Sequence, residues 1–69
     1  MSRLPYGNLT TREKDVLRLI LAGKTAKEAG EILGISQKQV NARLETARQK
    51  MLTNKSLEAA YRAKQDGQI

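Results

Sequence analysis

Three helix-start signals of one kind constrain this chain more than any other feature of its sequence. Thr10-Thr11-Arg12-Glu13, Thr25-Ala26-Lys27-Glu28 and Ser36-Gln37-Lys38-Gln39 each place a hydroxyl three residues ahead of a Glu or Gln. In that spacing the hydroxyl accepts from the amide at the third helical position, and the longer side chain reaches back to the cap amide. Three helices are therefore predicted to begin at closely spaced points, with only short turns between them.

The apolar residues agree. Val16, Leu17, Ile20 and Leu21 form a helical stripe that ends near Ala22-Gly23. Ala29, Ile32 and Leu33 mark a second, short helix stopped by Gly34. Val40, Leu44, Ala47 and Met51 recur at spacings of four, three and four, giving a longer helix from Gln37 to Met51 with one buried face. After the polar break Thr53-Asn54-Lys55-Ser56, a fourth helix is predicted from Leu57 to Gln65, with Gly67 just beyond it. No window alternates over five or more residues, so the fold class is all-α, with four helices. Residues 1–8, which include Pro5 and Gly7, read as a flexible arm, and residues 9–69 as one domain whose Leu9 packs on the core.

Composition removes several function classes. With no Cys and no His among 69 residues, disulfides, zinc-thiolate sites and histidine-based catalysis are excluded. No enzyme activity and no cofactor is expected. The longest apolar run, Leu19-Ile20-Leu21-Ala22, is far too short to cross a bilayer. The formal charge is +6, with 13 Lys and Arg against 7 Asp and Glu, and the excess leans toward the C-terminal half. Such a field favours polyanions or anionic membrane surfaces.

The second helix, Gly34-Ile35-Ser36 and the third helix have the parts of a helix-turn-helix. Gly30 is the small residue where the two helices cross, Gly34 the turn, and Ile35 and Val40 the apolar clamps. Ser36 caps the third helix, leaving its positive dipole end and free amides for a phosphate or base edge. Advancing 100° per residue from Val40 as the centre of the buried face, Lys38, Ala42, Glu45 and Gln49 point away from the core, with Asn41 beside them. These are the candidate base contacts: Lys38 to guanine, Asn41 to adenine, Ala42 to a thymine methyl, and Glu45 as an acceptor from cytosine. Arg43 and Lys50 on one flank and Arg48 on the other are candidates for phosphates, as are Lys24 and Thr25 at the start of the second helix. Arg12 and Glu28 read as structural, in a helix-start ion pair and a capping box, and Tyr61 as packing the fourth helix on the body.

Leu9-Thr10-x-Arg12-Glu13-x-x-Val16-Leu17, Gly23-x-Thr25-x-x-Glu28 and Leu33-x-Ile35-Ser36-x-x-x-Val40 together resemble the LuxR/GerE-type helix-turn-helix family. The likeness continues in register through Lys50-Met51, Asn54-Lys55 and Ala59 to Gly67-x-Ile69. The resemblance implies a four-helix DNA-binding domain of bacterial transcription regulators, whose third helix reads the major groove and whose fourth often mediates dimerisation. It also implies that Thr25 and Lys50 stand at backbone-contacting positions. The chain departs from the family in having Gln39 for the usual Thr, Arg43 for the usual His, and Ala29-Gly30 for the common Ile-Ala pair. Arg43-Leu44 and Ala47-Arg48 are also similar to the equivalent helix of sigma-factor region four, but the segment after Met51 resembles only the LuxR/GerE type.

The implied partner is double-stranded DNA, with a homodimer formed mainly on DNA through Ala59, Arg62 and Ala63 of the fourth helix. The rival reading is a protein-interaction module that binds RNA polymerase or pairs with a full-length regulator, Leu57, Ala60 and Tyr61 being a second face of that helix. The implied location is the bacterial cytoplasm, at the nucleoid.

Overall fold

The structure is a computed structural model that describes residues 7–69. Four helices follow one another: α1 (Thr11–Leu21), α2 (Ala26–Leu33), α3 (Gln37–Lys50) and α4 (Ser56–Gln65). The first three begin at the capping boxes read from the sequence, and each box is complete in both directions. The α4 cap position, Lys55, has no side-chain cap bond. The start of α4 is instead braced by Thr53, whose hydroxyl oxygen accepts from the Lys55 amide at 3.2 Å and whose proton goes to Glu58.

α1 packs against α3 and α4, and α2 lies mainly on α3. The core they enclose holds Leu9, Val16, Leu17, Val40, Leu44 and Met51 together with five alanines, 29, 47, 59, 60 and 63. Among the described residues no aromatic side chain belongs to it. Alanine at a helix contact lets two backbones approach closely, so a small chain closes its core with few large side chains.

The α2–α3 turn shows why two glycines stand five residues into α2 and just after it. Gly34 caps α2 at φ 73°, a left-handed conformation that glycine adopts without strain. Ile35 N–H returns to the Gly30 carbonyl at 2.9 Å, which folds the turn back over Gly30. A Cβ at Gly30 would lie 2.7 Å from the Ile35 carbonyl oxygen. The absent side chain is thus the condition for the tight crossing of α2 and α3.

Four expectations need correction. Ile32 is 55% exposed rather than part of the α2 core stripe, because the turn brings Ala29, Gly30 and Leu33 inward. Tyr61 is 53% exposed and does not pack α4 on the body. Ala59 and Ala63 have no exposed surface, so the small-residue strip of α4 is its inner face and cannot meet a second copy. The helical rotation that buries them, together with Ala60, turns Leu57 and Tyr61 outward. Residues 1–6 of the arm lie outside the described residues. Gly7, by contrast, is tied to the body: its N–H donates to the Lys50 carbonyl at 3.1 Å, and its carbonyl accepts from the Gln68 side chain at 3.1 Å.

Gly30→Val is expected to destabilise the domain by about 2 kcal/mol or more, since the added carbons meet backbone that cannot move without opening the turn. Chemical denaturation of the two proteins checks this, and an unchanged midpoint would mean that the crossing is looser than described.

Candidate nucleic-acid interface

The α3 capping box and the α2 contact fix the rotation of α3. Val40, Leu44 and Ala47 face inward, and Lys38, Asn41, Ala42, Glu45 and Gln49 all lie exposed on the other side. Thr46, also exposed, returns its hydroxyl proton to the Ala42 carbonyl at 3.1 Å. Arg43 is exposed on one flank, and neither it nor Lys38 forms an ion pair among the described residues. At the start of α2, Lys24 and Thr25 are also exposed. Thr25 Oγ1 accepts from the Glu28 amide at 3.1 Å, and the Thr25 amide and side chain hold the Glu28 carboxyl below the ordinary carboxylate range.

The two other expected phosphate ligands have partners within the fold. Arg48 is half-buried and donates to Ser56 Oγ at 2.8 Å, bridging α3 to the start of α4. Its remaining guanidinium donors stay available. Lys50 differs more. Its Nζ lies 2.9 Å from Glu13 Oε1, the Lys50 side chain is 29% exposed, and Glu13 itself is 2% exposed. The Lys50 ammonium, a phosphate candidate on the flank with Arg43, is thus tied to the fold through Glu13. Sequence spacing could not show the pairing, because the two residues lie 37 positions apart.

Arg62, expected at a dimer contact, also turns inward. Its guanidinium donates to the Met51 and Leu52 carbonyls at 2.8 and 2.7 Å, where α3 ends and Leu52 takes the left-handed φ of 59°. Arg62 therefore closes the end of α3 in place of a glycine. It also pairs with Glu58 at 3.6 Å, and Glu58 is held below the ordinary carboxylate range first by the Thr53 hydrogen bond and then by Arg62. Arg12 pairs with Asp15 at 3.5 Å and Glu28 closes its capping box, the structural roles expected of them. On α1 and α4 an open groove of 370 Å³ is lined by Arg18, Leu21, Ala22, Lys64 and Ile69. Among the described residues no group of acidic side chains is arranged to hold a metal ion, and no helix is long and apolar enough to cross a membrane.

Helices packed round one core, with a Gly-turned α2–α3 pair and an exposed polar α3, define a helix-turn-helix domain of the DNA-binding kind. The profile for bacterial regulatory proteins of the luxR family matches residues 7–63, and the chain belongs to that family. It is 42% identical over 55 residues to the transcriptional activator protein AnoR of Acinetobacter nosocomialis, a match covering 80% of this chain and 23% of that protein. Over 61 residues it is 39% identical to the transcriptional activator protein SolR of Ralstonia solanacearum, covering 88% of this chain and 26% of that protein. Among solved structures, Escherichia coli SdiA superposes with a TM-score of 0.87 at 33% identity, over 97% of this chain and 28% of SdiA. SdiA in complex with octanoyl-rac-glycerol gives 0.83 at 31% identity, over 93% of this chain and 26% of that one. The chain thus corresponds to about a quarter of the length of these relatives, and within them to the DNA-binding domain of a luxR-family transcription regulator.

The Glu13–Lys50 pair has a pH signature. Burial alone would raise the Glu13 carboxyl; the Lys50 hydrogen bond, the Thr10 amide and the Lys50 charge outweigh it and hold Glu13 below the ordinary carboxylate range. A carboxyl depressed in the folded state contributes stability above its unfolded pKa and loses it as pH falls through the folded value. Glu13→Gln keeps a cap acceptor but leaves the half-buried Lys50 unpaired. At neutral pH it is expected to cost about 1–2 kcal/mol. The gap between the two proteins should narrow as pH falls below the usual carboxylate pKa, measured by thermal denaturation from pH 7 to pH 3. A gap independent of pH would show that the charge of Glu13 does not stabilise the fold.

Proposed function

We propose that this domain binds double-stranded DNA sequence-specifically, with α3 in the major groove, as the DNA-reading part of a bacterial transcription regulator. The observation that carries this reading is the outer face of α3. It presents an unpaired ammonium, two amides and one carboxylate, all exposed, on a helix whose inner face is locked by Val40, Leu44 and Ala47. Lys38, Asn41, Ala42, Glu45 and Gln49 meet base edges, where the bidentate and donor–acceptor pairings that distinguish base pairs are available. Lys24, Thr25, Arg43 and the free donors of Arg48 meet phosphates on either side, which sets register without reading sequence.

A module of this size offers only about 600–1,000 Å² of protein surface to DNA, so two copies on half-sites one helical turn apart give the stronger complex. With Ala59 and Ala63 buried, the contact between copies falls to Leu57 and Tyr61, four residues apart and 48% and 53% exposed on the outer face of α4. Their exposure is a cost in the free domain that a second α4 would remove.

Two measurements test the groove reading. Arg43→Ala is expected to weaken binding alike on all duplexes and to reduce the slope of log affinity against log salt by about one unit. Asn41→Ala is expected to cost about 1–3 kcal/mol on the selected site and little on random DNA. Loss of neither affinity nor site preference in the two variants would remove α3 from the groove. For the dimer, Tyr61→Glu is expected to abolish cooperative binding to a two-half-site duplex while leaving single half-site affinity and the unfolding midpoint in place. Cooperativity that survives this charge places the contact elsewhere.

A further inference from the structure

We propose that Gln39 is a further DNA-contacting residue, its side-chain amide donating to a backbone phosphate on the flank of α3 shared with Arg43. The inference rests on the groove reading above and deepens it, because nothing in the base-facing projection of α3 selects this residue.

The argument starts from the three capping boxes, which are geometrically alike. The cap amides of Thr10, Thr25 and Ser36 each donate to Oε1 of the residue three positions on, at 2.9 Å in all three. The return bonds, from the amides of Glu13, Glu28 and Gln39 to the cap hydroxyl oxygens, run 3.2, 3.1 and 3.0 Å. Only the chemistry differs. α1 and α2 use a glutamate, which also suits the positive end of a helix dipole. α3 uses a neutral glutamine, which gives up that dipole term for the same cap geometry.

The glutamine gains two things in return. No carboxylate stands at the end of the helix that enters the groove, where DNA phosphates would repel it. The cap also fixes which way the amide points. An N–H can bond only to an oxygen, so Oε1 must face the Ser36 amide and Nε2 must face away. Neither proton of Nε2 has a partner among the described residues. Gln39 and Arg43 are both exposed and stand four residues apart, so they lie on one side of α3, with exposed Thr46 next along it. The cap immobilises a side chain that would otherwise lose rotamer freedom on binding, so its donors meet the phosphate already oriented.

The test separates cap from contact. Gln39→Glu reproduces the box of α1 and α2, so its unfolding midpoint is expected to equal or exceed that of the parent. On a duplex carrying a single half-site its affinity is expected to fall by about tenfold or more, on selected and random sequences alike. Gln65→Glu, the same charge change on α4, is expected to stay within about twofold on that duplex. A series of duplexes bearing one methylphosphonate at a time then locates the contact. One phosphate whose neutralisation weakens the parent should no longer matter to Gln39→Ala, while it still matters to Arg43→Ala. Parental affinity in Gln39→Glu, or the same set of sensitive phosphates in the parent and Gln39→Ala, would overturn the assignment. If Gln39→Glu binds normally while Arg43→Ala does not, this inference alone falls. If the parent ignores duplex DNA, the groove reading falls and takes this inference with it.

Discussion

The Glu13 carboxylate is the one charged group buried among the described residues, and the fold is arranged around it. It is almost fully buried, and a buried carboxylate is tolerated only when its charge and its lone pairs are answered. Glu13 has both answers: Oε1 accepts the Thr10 amide at 2.9 Å and the Lys50 ammonium at 2.9 Å. One side chain therefore starts α1 and anchors the last residue of α3. Since α1 also packs on α4, this bond ties α3 to the α1–α4 side of the molecule. The carbonyl of the same Lys50 receives the Gly7 amide, so the segment leading into α1 is held at that point too.

Around this bond the core is built from small residues, and that choice sets the rest of the architecture. Five of its eleven members are alanine, three of them on α4. Close helix approach leaves little volume to fill, which is why the described residues can enclose a core without a buried aromatic among them. The same economy limits the α2–α3 crossing, where a single added carbon at Gly30 would strike the Ile35 carbonyl. The rotation of α3, and with it the identity of the five outward side chains, follows from contacts that have no room for adjustment.

The helix starts were legible because a capping box is a local device: all of its atoms come from four consecutive residues. The exposed face of α3 was legible for a similar reason, one apolar stripe being enough to orient a helix. α4 was misread because its alanines are compatible with either face. There Arg62 turns inward to bond the Met51 and Leu52 carbonyls beside a left-handed leucine that no turn signal announces. Ile32 failed in the opposite way, an apolar residue at the right spacing left outside because α2 is only eight residues long and buries Ala29 and Gly30. The Lys50 charge was visible in the sequence, and its distant partner Glu13 was not.

Gln68 adds a mechanical property. Its amide accepts from the Leu9 N–H at 2.7 Å, donates to the Gly7 carbonyl at 3.1 Å and to Asp66 at 2.8 Å, stitching the two ends of the described chain side by side. The segment that leads into α1 is thus clasped on two sides, by Gln68 beyond α4 and by the last residue of α3, so the described chain closes on itself like a buckled strap.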